Sequence, residues 1–196
     1  MADGHVTSLT EQLSLASWDG ARLTRDEAPG MVTVRARAQA QGRVAHALGL
    51  AHLPEPNGTA AQAALTCYWI RPDEWLLAVP FAARGATIEL LEGALAHLDT
   101  AVLDVSASRV VLELSGPSSA DVLASCCSLD LHRRVFPVGR CAQSLIAKAP
   151  MLLHHVSDAP AWRIFVRPTL VRYVADWLID GMNGVRAEAG RAAPTR

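Results

Sequence analysis

The chain has 196 residues, 51% hydrophobic and 19% charged, with a formal net charge of −1 and a pI near 6.6; a chain of this size can bury about 70% of its unfolded surface, and its near neutrality gives no electrostatic reason to capture nucleic acid or an anionic membrane surface. No run approaches the roughly 18–20 consecutive apolar residues of a membrane helix, and the opening MADGHVTSLTEQLSLASWDG has acids at Asp3 and Glu11 rather than the basic-then-apolar pattern of a signal peptide. Four irregularly spaced cysteines are no disulfide framework, so the expected location is the reducing cytoplasm.

Residues 1–30 read as an N-terminal extension. Val32, Val34 and Ala36 then alternate with Thr33, Arg35 and Arg37, as in a half-buried strand. Val44, Ala47 and Leu48 follow at helical spacing, and LPEPNGTAAQ (Leu53 to Gln62) reads as a loop from its Pro, Asn and Gly. LTCYWI and WLLAVP flank RPDE and predict a hairpin. Ile88, Leu91, Leu95 and Leu98 share one helical face, widened by Leu90 and Ala94, and AVLDV closes the lobe as a short buried strand. The order for residues 31–105 is β-α-β-β-α-β.

The second lobe, residues 106–182, opens with the alternating RVVLELS. A Gly-Pro break leads into a helix whose Ser118 and Asp121 form a loose capping box. The strands CAQSLIAK, PMLLHHV and WRIFVR follow the turn-rich LDLHRRVFPVGR, and a last helix after Pro168 carries Leu170, Tyr173, Val174, Trp177 and Leu178 as its stripe. The order is β-α-β-β-β-α, and NGVRAEAGRAAPTR (183–196) has lost the stripe and reads as a flexible tail. The economical fold is α+β: two ferredoxin-like split β-α-β units, each an antiparallel sheet with helices packed on one face.

Chemistry concentrates in SCCSLDLHRRVFPVGRCAQSLIAKAP (Ser125 to Pro150), which holds Cys126, Cys127, His132 and Cys141. Adjacent side chains at a helix end diverge by about 100°, so Cys126 and Cys127 are a poor zinc pair, and buried thiols are expected instead. His154 and His155 are adjacent on a strand and point to opposite faces. A catalytic cysteine needs a pKa-lowering partner, and the nearness of His132 in sequence is a weak signal for one. Neither G-x-G-x-x-G, G-x-x-x-x-G-K-[ST] nor G-x-S-x-G occurs, so no catalytic, cofactor or metal residue is assigned. Arg133, Arg134 and Arg140 beside Phe136 fit either a docking surface or a connector that covers the sheet.

The same region carries a family resemblance. DVS (Asp104 to Ser106), Arg109, LSGP (Leu114 to Pro117), DVL (Asp121 to Leu123), LDLH (Leu129 to His132), Phe136, GRCAQ (Gly139 to Gln143) and AKA (Ala147 to Ala149) stand in order. PDEWLL (Pro72 to Leu77) and WRIFVRPTLVRYVADWL (Trp162 to Leu178) flank them. The ordered set, over about Leu65 to Asp180, resembles the gamma subunit of bacterial heterotetrameric sarcosine oxidase; it departs at Cys126, where a small residue or glycine is expected.

The resemblance implies a subunit of a flavin-dependent oxidoreductase complex that oxidatively demethylates sarcosine to glycine, with oxygen as electron acceptor and tetrahydrofolate taking up the one-carbon unit. It implies that FAD, FMN and NAD are held by the alpha and beta subunits and zinc by the delta subunit, which are then the partners. This chain is expected to be non-catalytic. The fold is expected to resemble the folate-binding domain of the glycine-cleavage aminomethyltransferase. Arg109, Arg133, Arg134, Phe136 and Arg140 are the candidate interface residues. A stand-alone folate-binding one-carbon transfer protein, with Asp104 or Glu113 as the acid that fixes the pterin, is the alternative; so is the gamma subunit of a related complex acting on another N-methyl amine.

Overall fold

The computed structural model describes residues 15–26 and 29–192. It contains eleven strands and four α-helices among those residues, and the chain divides into two compact units.

Among the described residues, the first unit comprises 29–108 together with 139–142. Its elements are β3 (Gly30–Ala36), α1 (Ala38–Ala47), β4 (Thr59–Gln62), β5 (Leu65–Arg71), β6 (Glu74–Val79), α2 (Arg84–Ala94) and β7 (Thr100–Asp104). They form an antiparallel sheet in the order β4-β5-β6-β3-β7. Without β4 this is the ferredoxin-like arrangement, in which the first strand lies between the third and the fourth. Val32, Val34 and Ala36 alternate into a core that also takes Ala40 and Val44 of α1 with the following Leu48, Trp75 and Leu77 of β6, and Leu91 of α2 with the following Leu95. Ile88, Leu98 and Val102 pack against that core half-buried, whereas Leu90 is exposed. The expected loop holds a strand after all: β4 pairs with β5, with Thr59 opposite Tyr68 and Gln62 opposite Leu65.

Among the described residues, the second unit comprises 15–26, 109–138 and 143–192. Its sheet runs β1-β2-β8-β11-β10-β9, from Ser17–Trp18, Ala21–Arg25, Val110–Ser115, Ala161–Val166, Ala149–Ser157 and Cys141–Ile146 respectively. Helices α3 (Ser119–Ala124) and α4 (Val171–Ala192) complete it. The run β2-β8-β11-β10 repeats the ferredoxin-like order, but among the described residues no strand follows α4. Its fourth-strand position is filled by β2 from the N-terminal side of the chain. Part of the predicted extension is therefore structural: Leu23 of β2 lies opposite Leu114 and is 1% exposed.

Gly116 shows how β2 is locked in. It sits at φ +110°, and a Cβ there would lie 2.6 Å from the Gly20 carbonyl oxygen, so only glycine fits. Ser118 N–H then donates to that same Gly20 oxygen at 2.8 Å.

Two further expectations change in α4. The predicted tail from residue 183 is helical as far as Ala192. The buried stripe is Val171, Val174, Ala175, Leu178 and Met182, while Tyr173 and Trp177 are 37% and 41% exposed. Val174 and Leu178 differ from their neighbours Tyr173 and Trp177 by about 100° of helical rotation. The single predicted stripe is thus two adjacent ones.

Candidate functional site

Strand alternation gives the six-stranded sheet two different faces. On one, Leu23, Leu114, Trp162 and His155 stand opposite one another across β2, β8, β11 and β10. The His155 ring stacks on Trp162 at 4.2 Å, with its Nδ1 3.0 Å from the Phe136 carbonyl oxygen. Trp162 Nε1 donates to the fully buried Ser119 hydroxyl at 3.1 Å. Each polar group named here has a partner, as a buried network requires; it holds the core together.

The next rung of the same ladder is polar. His154, Arg163, Glu113 and Thr24 stand opposite one another on the other face. Arg163 Nε lies 3.3 Å from Asp26 and 4.0 Å from Glu113, close enough for ion pairing although without hydrogen-bond geometry. Burial, with help from Arg163 and then His155, lowers the His154 pKa to about 4, so the ring is neutral at pH 7. Sequence reasoning weighed Glu113 alone and missed the set. The available signal was a single charge, Arg163, in the otherwise apolar strand WRIFV.

The thiols are not poised for chemistry. Burial pushes Cys126 and Cys141 up to about 11, and pushes Cys67 higher still. Cys126 Sγ donates weakly to the Val122 and Leu123 carbonyls at the end of α3, and Cys141 Sγ lies 3.2 Å from the Gly58 carbonyl. His132 is exposed and spends its Nδ1 on the Arg134 amide at 3.3 Å. A protonated thiol is a poor nucleophile. Among the described residues no group of three His, Cys, Asp or Glu side chains could hold a metal ion.

Asp104 is committed elsewhere too. Its Oδ1 accepts from the Ser106 hydroxyl at 2.7 Å and the Ser106 amide at 2.9 Å, and its Oδ2 meets Arg84 at 3.1 Å. The Ser106 hydrogen bonds, assisted by Arg84, hold its carboxyl below the usual carboxylate range. Ser106 Oγ accepts in turn from the Met31 amide at 2.9 Å. The acid clips a turn onto β3, and a pterin anchor at Asp104 does not fit.

The candidate interface residues separate by burial. Arg133 and Arg134 are exposed; Arg133 pairs with Asp158, whereas the Arg134 side chain makes no ion pair or hydrogen bond among the described residues. Arg140, in the five-stranded unit, is exposed, and Arg109 is half-buried with contacts of its own. Phe136 is the correction: at 3% exposure, tilted against Trp162 at 5.8 Å, it is a core residue and offers no docking side chain.

A surface that sequence reasoning placed in the core lies on α4. Between α3 and α4 runs an open groove of about 420 Å³, its lining including Asp121, Ser125, Trp177, Asp180, Gly184 and Glu188. Trp177 meets Tyr173 edge-on at 6.3 Å.

Comparison with known proteins is consistent along the chain. The gamma subunit of sarcosine oxidase from Arthrobacter sp. is 36% identical over 179 residues, covering 89% of this chain and 87% of that protein. The gamma subunit from Corynebacterium sp. strain U-96 is 37% identical over 155 residues, covering 69% of this chain and 74% of its own length. A chain of the heterotetrameric sarcosine oxidase from Corynebacterium sp. U-96, solved in complex with pyrrole 2-carboxylate, superposes with a TM-score of 0.79 at 32% identity, over 98% of this chain and 96% of that one. The glycine cleavage aminomethyltransferase T of Bartonella henselae shares the fold alone, with a TM-score of 0.67 at 15% identity over 88% of this chain and 55% of that one. Residues 35–184 match the sarcosine oxidase gamma subunit family, and the chain belongs to that family.

Proposed function

We propose that this chain is a non-catalytic assembly subunit of a heterotetrameric oxidase that demethylates sarcosine to glycine. Flavins and NAD sit in alpha and beta partners and zinc in a delta partner, and tetrahydrofolate takes up the one-carbon unit within the complex. The observation that carries this reading is the likeness to a chain of a heterotetrameric sarcosine oxidase over 98% of the present chain. The local chemistry supports it: Cys126 and Cys141 are held protonated, buried His154 is neutral, and Asp104 is tied to Ser106 and Arg84. The folate-protein alternative loses Asp104 as its acid on the same grounds. Substrate choice belongs to the flavin partner, so an N-methyl amine other than sarcosine changes nothing in the role of this chain.

The test is purification of the tagged chain from its host at modest salt, recording co-eluting masses and flavin absorbance. Three further chains with a yellow eluate are expected. A colourless eluate of this chain alone overturns the reading. Arg134 and Arg140 are both exposed and make no ion pair or side-chain hydrogen bond among the described residues, and of the two we assign Arg134 to a partner contact. Arg134→Glu is expected to release the chain from the complex at lower salt; unchanged retention removes Arg134 from the interface.

A further inference from the structure

Helix α4 has a second face that its own unit leaves uncovered. Tyr173, Trp177, Gly181, Gly184 and Glu188 recur at three- or four-residue spacing and so share one side of the helix. The first two leave aromatic surface in solvent, and the groove beside them carries the carboxylates of Asp121, Asp180 and Glu188 with no cation in its lining. Among the described residues none of these three carboxylates has an ion-pair or side-chain hydrogen-bond partner.

The glycines add an independent observation. Gly181 is explained by packing: a Cβ there would lie 2.6 Å from Ser125 Oγ, so it lets α3 approach α4. Gly184 is not, because a Cβ there would meet nothing within 4 Å. A glycine inside a helix is destabilising relative to alanine, and this chain makes no packing demand for one at 184. A bare backbone at the groove floor suits close approach by another chain.

We infer that this groove seats a lysine- or arginine-bearing segment of a partner subunit of the oxidase, its aliphatic stem over Gly184, its cation between Asp180 and Glu188, and its neighbour against Trp177. The inference rests on the assembly reading above. The cation gains from the carboxylates, its neighbour gains apolar contact on the indole, and a Trp buried beside paired charges is the usual centre of an interface. The chain's own first fourteen residues do not complement the groove, since they carry Asp3 and Glu11 and neither lysine nor arginine.

The experiment is competitive incorporation in the host: tagged partner subunits are co-expressed with wild-type chain and one variant, and mass spectrometry reads the ratio of the two in the purified complex. Asp180→Lys combined with Glu188→Lys is expected to cut incorporation by about tenfold or more, the scale of reversing a buried charge contact. Gly184→Leu, whose side chain enters open space in the free unit, is expected to do the same while leaving the circular dichroism of the variant chain unchanged. Equal incorporation of both variants overturns the inference. So does a homodimer of the isolated chain that Gly184→Leu abolishes, because the groove is then filled by a second copy. If the wild-type chain enters no flavin-bearing complex, the assembly reading falls and takes this inference with it. If wild type and variants enter alike, only the groove assignment falls.

Discussion

In the five-stranded unit the strand that completes the ferredoxin-like frame, Thr100–Asp104, follows α2 directly; in the six-stranded unit the same position is taken by Ala21–Arg25, some ninety residues upstream of the β8 strand it pairs with. The two strands also meet different surroundings. β2 is flanked by β1 and buries Ala21 and Leu23 at 1% exposure each. β7 is a sheet edge and leaves Leu103 59% exposed. One frame therefore closes through a long-range pairing sealed by a buried leucine, and the other through a local one that stays open to solvent. The first needs a loop of most of the other unit closed before β2 contributes anything.

Substitution of the sealing residue gives the largest expected effect. Leu23→Ala removes buried methyl groups opposite Leu114 and is expected to cost about 2–5 kcal/mol. Urea titration with hydrogen exchange resolved by unit is the measurement. Protection should fall across β2, β8 and β11 and persist in β5 and β6. An unchanged midpoint would show that β2 is dispensable to that sheet.

Acid separates the units next. His154 has a pKa near 6.5 in the unfolded chain and about 4 when folded, so between these values the unfolded state binds the extra proton. Its contribution to stability is complete above pH 6.5 and is lost as pH falls toward 4, up to about 3 kcal/mol. Exchange protection in the six-stranded unit should weaken over that window. The five-stranded unit has exposed carboxylates with lowered pKa, Asp73 and Asp104, whose effect begins only at lower pH. His154→Gln should flatten the response, and a variant that keeps the full acid slope would assign it to another group.

How much of this was legible in the sequence follows from how local each signal is. The alternation at Val32, Val34 and Ala36 and the hairpin around Pro72 and Asp73 are fixed by nearest neighbours, and they were readable. β2 was not: ARLTR offers only Ala21 and Leu23 as an apolar pair, and what makes it a strand is β8. TAAQ at β4 is an edge strand with little burial, so it lacks an alternating pattern altogether. On α4 the two aromatics read as core because size and hydrophobicity do not reveal which of two neighbouring stripes faces the sheet. The site was less legible than the fold. Phe136 looked like a surface anchor in a turn-rich segment, and only Trp162, contributed by a distant strand, shows that it is core. The row from Thr24 to His154 needs the strand register, which no single stretch encodes.

A smaller effect separates packing from docking on α4. Gly184→Ala adds a methyl into open space, and alanine is the better helix former by about 1 kcal/mol. The variant should melt at a higher temperature than the wild type while entering the complex no better. A gain in incorporation that tracks the gain in stability would mean that α4 limits assembly through its own folding, and the groove would lose its reason for a glycine.

The smallest expected effect lies on the open strand. Leu103→Ala removes a side chain that solvent already covers, so stability should move by no more than about 0.5 kcal/mol. Set beside Leu23→Ala, it compares one leucine each from the strands that close the two frames, and the ratio of the two costs measures how differently those strands are used. If Leu103→Ala leaves the isolated chain unchanged but weakens its retention in the complex, β7 is an edge kept open for a neighbour rather than left unfinished. An exposed leucine on an unpaired strand is otherwise a liability for edge-to-edge association. If instead it costs as much as Leu23→Ala, the two frames close through equivalent contacts, and the difference in exposure between β2 and β7 carries no energetic weight.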